Sequence, residues 1–259
     1  MNRQTPDILY RYRHLVGENR DRTARLLKAS VLYFASPASF NDPFDCRVHY
    51  SSSGSVSSLR RKAQSLYKKF IPALNRTERR RRAAEDTKRI KGTDLSRGIA
   101  NGLQSDVERV GVLCLSEYRD DVVLWSHYAA GHTGLCLGFR VGADATFFAR
   151  AQPVCYSASF PSIDLQRDPP MMQVEAFLLT KAEGWAYERE WRIIDHDGGP
   201  GEKAFHPNAL CELMFGARMT DDDKGFVRAC LAGRQYPVSL LQAQPVRGSY
   251  ALATQAVEP

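Results

Sequence analysis

Apolar and polar positions alternate at Leu9-Tyr10-Arg11-Tyr12-Arg13, the period of a short half-buried strand. A helix follows to about Lys28, with Asn19 or Asp21 able to cap it, and Val31-Leu32-Tyr33-Phe34 reads as a second strand closed by the turn formers Ser36-Pro37. Ser39 to Asp45 reads as a loop, because Asn41-Asp42-Pro43 favours a turn and the residue before proline avoids the helical region. Ser51 to Ser58 is a serine-rich linker, and roughly residues 59–109 read as helix in two or three pieces, broken near Pro72 and Gly92. Large apolar residues return afterwards. Strands are predicted at Val110–Ser116, Gly134–Arg140, Val154–Tyr156, Glu188–Ile194, Leu213–Phe215, Val238–Ala243 and Tyr250–Thr254. Helices are predicted at about Asp121–Ala130, Met171–Glu183 and Asp221–Ala232.

These elements neither repeat nor alternate regularly as strand and helix, which argues against a doubly wound parallel sheet. The expectation is an α+β fold: a mixed or antiparallel sheet core with flanking helices. It forms a single domain over 1–259, with 51–109 as a basic helical insertion.

Charge sharpens that organisation. The chain of 259 residues has a formal net charge of +7. Residues 60–91 hold thirteen Lys or Arg and three Asp or Glu, a net of +10, which leaves 23 basic and 26 acidic residues, a net of −3, for the rest. A nucleic-acid partner is therefore expected through residues 60–91, around Arg79-Arg80-Arg81-Arg82; a solvated helix face is the plain alternative. Aromatic interleaving there is sparse, with Tyr67 and Phe70 alone, so base stacking is not indicated. The six cysteines stand in no C-x-x-C pair and at no metal-like spacing. No apolar run approaches the roughly 20 residues of a membrane span, and the first residues lack a secretory pattern; a cytoplasmic location without membrane contact is expected.

Candidate chemistry gathers in five places. Glu188-x-Glu190-x-Arg192 would share one face of a strand, with the carboxylates about 7 Å apart, near enough to divide the handling of a sugar hydroxyl and a nucleophile. The plain alternative is a solvated face with Arg192 paired to a carboxylate. Ser36 through Phe44 is dense in turn formers between aromatics and suits a pocket wall, or equally an Asx turn. Trp125-Ser126-His127-Tyr128 offers His127 as an acid–base group, or as a core or capping histidine. Arg11 and Arg13 share a strand face and could grip a diphosphate. The arginine run is the fifth. No P-loop, G-x-G-x-x-G, H-E-x-x-H or G-x-S-x-G is present.

Taken in order, Leu9–Arg13, Leu32–Pro37, Phe40–Asp45, Cys114–Ser116, Leu124–Tyr128, Gly134–Phe139, Lys181, Trp185 to Arg192 and Phe215-Gly216 resemble a bacterial domain-of-unknown-function family, numbered 2971. A fainter likeness is to ADP-ribosyltransferases. These place an Arg or His on a first strand, a polar-aromatic strand next and a Glu on a later strand, often as E-x-E; here Arg13, Tyr33 to Ser36, then Glu188 and Glu190 stand in that order. The likeness implies NAD as substrate, and the role of a toxin or phage-defence effector modifying nucleic acid or protein. Arg13 (or Arg11) would grip NAD, Ser36 would support the ribose and Tyr33 or Phe40 would pack near the nicotinamide. Asn41, Asp42, His127 and Arg192 would line the same pocket. Glu190 would bond the ribose hydroxyl and Glu188 would orient or deprotonate the acceptor. Whether Arg13, Ser36 and Glu190 converge in one cleft is the observation that bears on this reading most directly. Two rivals remain: a metal-dependent nuclease or phosphodiesterase using Asp42, Asp45, Glu188 and Glu190 on a hard cation, and a non-catalytic module that binds nucleic acid or a partner.

Overall fold

A computed structural model describes residues 3–51, 56–70, 74–89, 109–164, 168 and 170–258. The expected breaks at Pro72 and Gly92, and the helix expected across 90–108, lie outside the described residues. The chain divides into two compact units, one formed by residues 1–40, 110–154 and 184–259, the other by 41–109 and 155–183. The expected insertion at 51–109 falls within the second unit, together with 41–50 and 155–183.

The first unit is built on an eight-stranded mixed sheet. Its strands are β1 (Ile8–Arg13), β4 (Gly111–Ser116), β5 (Leu135–Arg140), β6 (Gln152–Pro153), β10 (Glu190–Asp195), β12 (Leu210–Phe215), β13 (Ser239–Pro245) and β14 (Leu252–Ala256). Their order is β14-β13-β12-β5-β1-β4-β10-β6, with β12 and β13 parallel and the other pairs antiparallel. Strand β2 (Val31–Phe34) pairs separately with β11 (Gly201–Ala204). The architecture is α+β, with a mixed sheet at its core.

Paired residues of neighbouring strands lie on the same face of a sheet, and successive residues on opposite faces. One face therefore carries Leu9, Leu113, Leu115, Leu137, Trp191, Ile193 and Leu213, all buried, and is covered by Leu26 and Leu27 of helix α1 (Glu18–Ala29). Each such fully buried side chain contributes roughly 1.5–3 kcal/mol. The other face carries Tyr12, Cys136 and Met214 under Leu124 and Trp125 of helix α4 (Val122–Tyr128). Asp121 caps α4 as its sequence position suggests, accepting from the amides of Val123 and Leu124.

Strands β1 and β4 share one paired position, Tyr10 with Ser116, and then diverge. Further along β4, Ala35 exchanges two backbone hydrogen bonds with Val112, at 2.9 and 2.8 Å. Between these two bridges the Cys114 carbonyl accepts a hydrogen bond from Arg11 Nη1 at 2.8 Å. A guanidinium thus completes the β4 edge where neither strand reaches it, supplying the donor that a buried carbonyl requires.

The second unit contains helices α2 (Val56–Phe70) and α3 (Arg76–Arg89), which pack against each other, and helix α6 (Pro170–Leu178). Two short parallel pairs complete it: β3 (His49–Ser51) with β8 (Ser162–Asp164), and β7 (Cys155–Ser157) with β9 (Thr180–Ala182). The helix expected over Met171–Glu183 stops at Leu178, because the next residues are drawn into β9, where Cys155 donates to the Leu179 carbonyl at 2.7 Å. Among the described residues no helix is long and apolar enough to cross a membrane.

Candidate functional site

Glu188 and Glu190 both face the α4 side of the sheet, by a route different from the expected alternation. Glu188 is not part of β10: it ends a 3-10 segment, Glu183–Glu188, and Arg189 has φ +45°. That left-handed residue interrupts the period of two, so the strand begins at Glu190. Glu188 nonetheless faces α4, where its Oε1 accepts from the Tyr128 hydroxyl at 2.6 Å, and its backbone carbonyl accepts from Ser116 Oγ at 2.7 Å.

Glu190 pairs with Ser116, and Arg192 with Cys114, across β4. The Arg192 guanidinium forks onto the Glu190 carboxylate, Nε to Oε1 at 2.8 Å and Nη2 to Oε2 at 3.1 Å. Glu188 and Glu190 are each 4% exposed and Arg192 is 0% exposed. A buried charge needs a partner and satisfied hydrogen bonds, and this forked pair supplies both. Cys114 sits beside the pair: burial first, then the Glu190 charge, hold its thiol well above the usual cysteine value. It is therefore a neutral thiol, not a nucleophile.

Aromatic groups border the carboxylates. Phe40 lies under the Arg192 guanidinium, 5.3 Å from ring centroid to Cζ. His127 is exposed on α4 and neither caps the helix nor fills the core; its Nδ1 is 3.2 Å from the Tyr187 hydroxyl, and its ring is 6.0 Å from that of Trp185. The site thus brings together Glu188, Glu190, Arg192, Phe40 and His127.

Of the other residues expected from the first unit, Arg13 and Tyr33 are engaged by α1, and Arg11 and Ser36 bond backbone groups. Arg13 pairs with Leu135 and lies on the α1 face, opposite Glu190. It is 7% exposed and engaged by α1, Nε donating to Thr23 Oγ1 at 3.1 Å and Nη2 to Asn19 Oδ1 at 3.5 Å. Burial, with Arg11 adding repulsion, lowers its guanidinium to about 9, still a cation at neutral pH. The expected convergence of Arg13 with Glu190 is thus corrected, since the sheet separates them. Arg11 shares that parity, and its guanidinium fills the β1–β4 gap. Tyr33 stacks under Arg22 of α1, at 4.1 Å, rather than beside Glu190. Ser36 caps the short 3-10 turn Pro37–Ser39, its Oγ accepting from the Ala38 amide at 3.2 Å.

Asn41 and Asp42 belong to the second unit, where Asp42 Oδ1 accepts from the Phe44 amide at 2.8 Å, an Asx turn. Asp45 in that unit accepts from the Cys46 amide at 2.7 Å and faces Lys181 Nζ at 3.9 Å. Among the described residues no group of three or more His, Cys, Asp or Glu is placed to hold a metal ion.

Glu117 is a further residue the sequence did not single out. Its carboxylate gathers Arg3 Nη1 at 3.0 Å, Arg189 Nε at 3.0 Å and Trp191 Nε1 at 2.8 Å. It fixes the residue of unusual φ and the first residues of β10, and so sets where Glu188 and Glu190 stand. Tyr128 was visible only as part of an aromatic motif; its partner lies 60 residues away.

Residues 124–193 match the family model of a protein of unknown function (DUF2971). The stretch shared with DUF2971 runs from Leu124 on α4 to Ile193 on β10 and contains His127, Tyr128, Glu188, Glu190 and Arg192. The likeness to DUF2971 read from the sequence is thereby shown over this stretch. No curated protein and no solved structure matches the chain.

Proposed function

We propose that this face performs an ADP-ribosyltransferase-like reaction, cleaving the bond between nicotinamide and ribose in NAD and passing ADP-ribose to an acceptor. The observation that carries the reading is the pair of buried carboxylates, each held by a named donor, on one face bordered by Phe40, Trp185 and Tyr187.

In this chemistry the bond from ribose C1′ to the pyridinium nitrogen breaks and its electron pair leaves with neutral nicotinamide. Positive charge develops on the ribose, and fixed carboxylates nearby stabilise it. Glu190 is held in place by Arg192, which bonds both of its carboxylate oxygens, and its charge faces the ribose hydroxyl in this reading. Glu188, oriented by Tyr128, takes the proton of the attacking acceptor as the new bond to C1′ forms. Arg13 has no part in holding the diphosphate on this face, because the register places it on the other one.

The test is nicotinamide release from NAD by purified protein, with release expected from the wild type and abolished by Glu188→Gln and Glu190→Gln. Cleavage of phosphodiester bonds that depends on added Mg²⁺ or Mn²⁺, without release of nicotinamide, would instead favour the metal-dependent nuclease or phosphodiesterase reading.

A further inference from the structure

The basic segment divides into cations that are already engaged and cations that are not. Helix α3 begins at Asn75, whose Oδ1 accepts from the Glu78 amide at 2.8 Å. Within the arginine run, Arg79 Nη1 donates to the Leu74 carbonyl at 2.7 Å. Arg81 is held by Glu78 and Glu85, both at 3.0 Å, and Arg82 lies 3.8 Å from Glu78. Arg80 alone of the four is exposed with no partner among the described residues. Arg61, Lys68 and Arg76 share that condition.

Their positions are ordered. On α2, Arg60, Ala63, Gln64 and Tyr67 are half-buried and form the inward stripe, spaced i, i+3, i+4, i+7. Arg61, Ser65 and Lys68 are exposed at i, i+4, i+7 and form a separate outward stripe. On α3, Ala83 is buried while Arg76 and Arg80, one helical turn apart, face outward. Two packed helices therefore each present two outward cations that no carboxylate among the described residues neutralises. An engaged arginine must give up its carboxylate to bind an anion; these four need not.

We infer that the outward faces of α2 and α3 bind the phosphate backbone of a nucleic acid through Arg61, Lys68, Arg76 and Arg80, without reading its sequence. The exposed residues beside the cations, Ser65 and Thr77, are polar and suit phosphate contact. A helix that lies in a membrane surface carries large apolar residues on its exposed face, and these positions carry none. The inference rests on the helical hairpin alone and stands whether or not the carboxylate face cleaves NAD.

The test is binding of the full chain to a short fluorescein-labelled DNA duplex of arbitrary sequence, followed by fluorescence anisotropy over a range of salt. Each phosphate contact contributes about −0.9 to the slope of log K against log salt, so the fourfold variant Arg61→Gln, Lys68→Gln, Arg76→Gln and Arg80→Gln is expected to flatten the slope by about 3 to 4. Arg81→Gln, which removes a cation already engaged by two glutamates, is expected to leave the slope within about 0.3 of wild type. All these positions are exposed, and circular dichroism verifies that the variants remain folded. A fourfold variant with the wild-type slope, an Arg81→Gln effect as large as the fourfold one, or binding to anionic phospholipid vesicles but not to the duplex would each overturn it.

Discussion

Replacing Arg192 with methionine removes one half of a fully buried pair and leaves the Glu190 carboxylate, 4% exposed, without its guanidinium. Breaking a buried pair from one side costs about 3–5 kcal/mol, because the remaining charge stays desolvated and uncompensated. Removing both partners together takes away both charges of the pair, and such replacements are often neutral. Arg192→Met is therefore expected to lower the stability of the first unit by about 3–5 kcal/mol, and the double variant Glu190→Met with Arg192→Met to recover most of that loss. The chain's three tryptophans, Trp125, Trp185 and Trp191, all lie in the first unit, so urea unfolding followed by tryptophan fluorescence reports on that unit alone. A single variant that loses less than about 1 kcal/mol, or a double variant no more stable than the single, would refute the reasoning.

Three further outcomes follow from the same structure. Tyr128→Phe removes the hydroxyl donor to a buried carboxylate and is expected to cost about 1.5–3 kcal/mol in the same unfolding assay while lowering nicotinamide release; stability equal to wild type would show that the 2.6 Å bond carries no weight. At Gly134 an added Cβ would come within 2.1 Å of the Arg13 carbonyl, so Gly134→Ala is expected to destabilise the first unit markedly, and an unshifted urea midpoint would contradict the β1–β5 approach. His14 and His132 have pKa values lowered below the usual histidine value, in both cases by burial first, then by Arg13 for His14 and Arg218 for His132. Both bind fewer protons folded than unfolded near neutrality, so their contribution is fully present above about pH 6.5 and lost as pH falls through the depressed folded values. The urea midpoint should fall across that window, and less so in a His14→Asn, His132→Asn variant.

Much of the fold was legible because it is local. The period of two at Leu9–Arg13 and at Trp191–Ile194 marks strands whose alternate residues fill one core, and Asp121 announces the start of α4. The site was legible in part. An ion pair between Arg192 and a carboxylate was the plain alternative for that strand, and it forms, buried rather than solvated. The sequence pattern puts Glu188 in the strand because nothing in the residue type marks Arg189 for a positive φ; its side chain bonds Glu117, far away in sequence. Arg13 and Glu190 stand on strands whose relative parity is set by β4 lying between them, a fact of long-range register that no local pattern carries. The arginine run shows the same limit: four adjacent cations look alike in the sequence, yet three are engaged by Leu74, Glu78 and Glu85.

The central claim is that the Glu188–Glu190 face is a reacting centre rather than a buried structural pair. It is tested most directly by the initial rate of nicotinamide release from NAD, compared between wild type and a Glu190→Gln variant shown by tryptophan fluorescence to be folded. Loss of an electrostatic group aimed at developing charge lowers rates by about 100- to 1,000-fold, and a fall of that size is expected. Equal turnover by the two proteins, or no release by the wild type, would contradict the account.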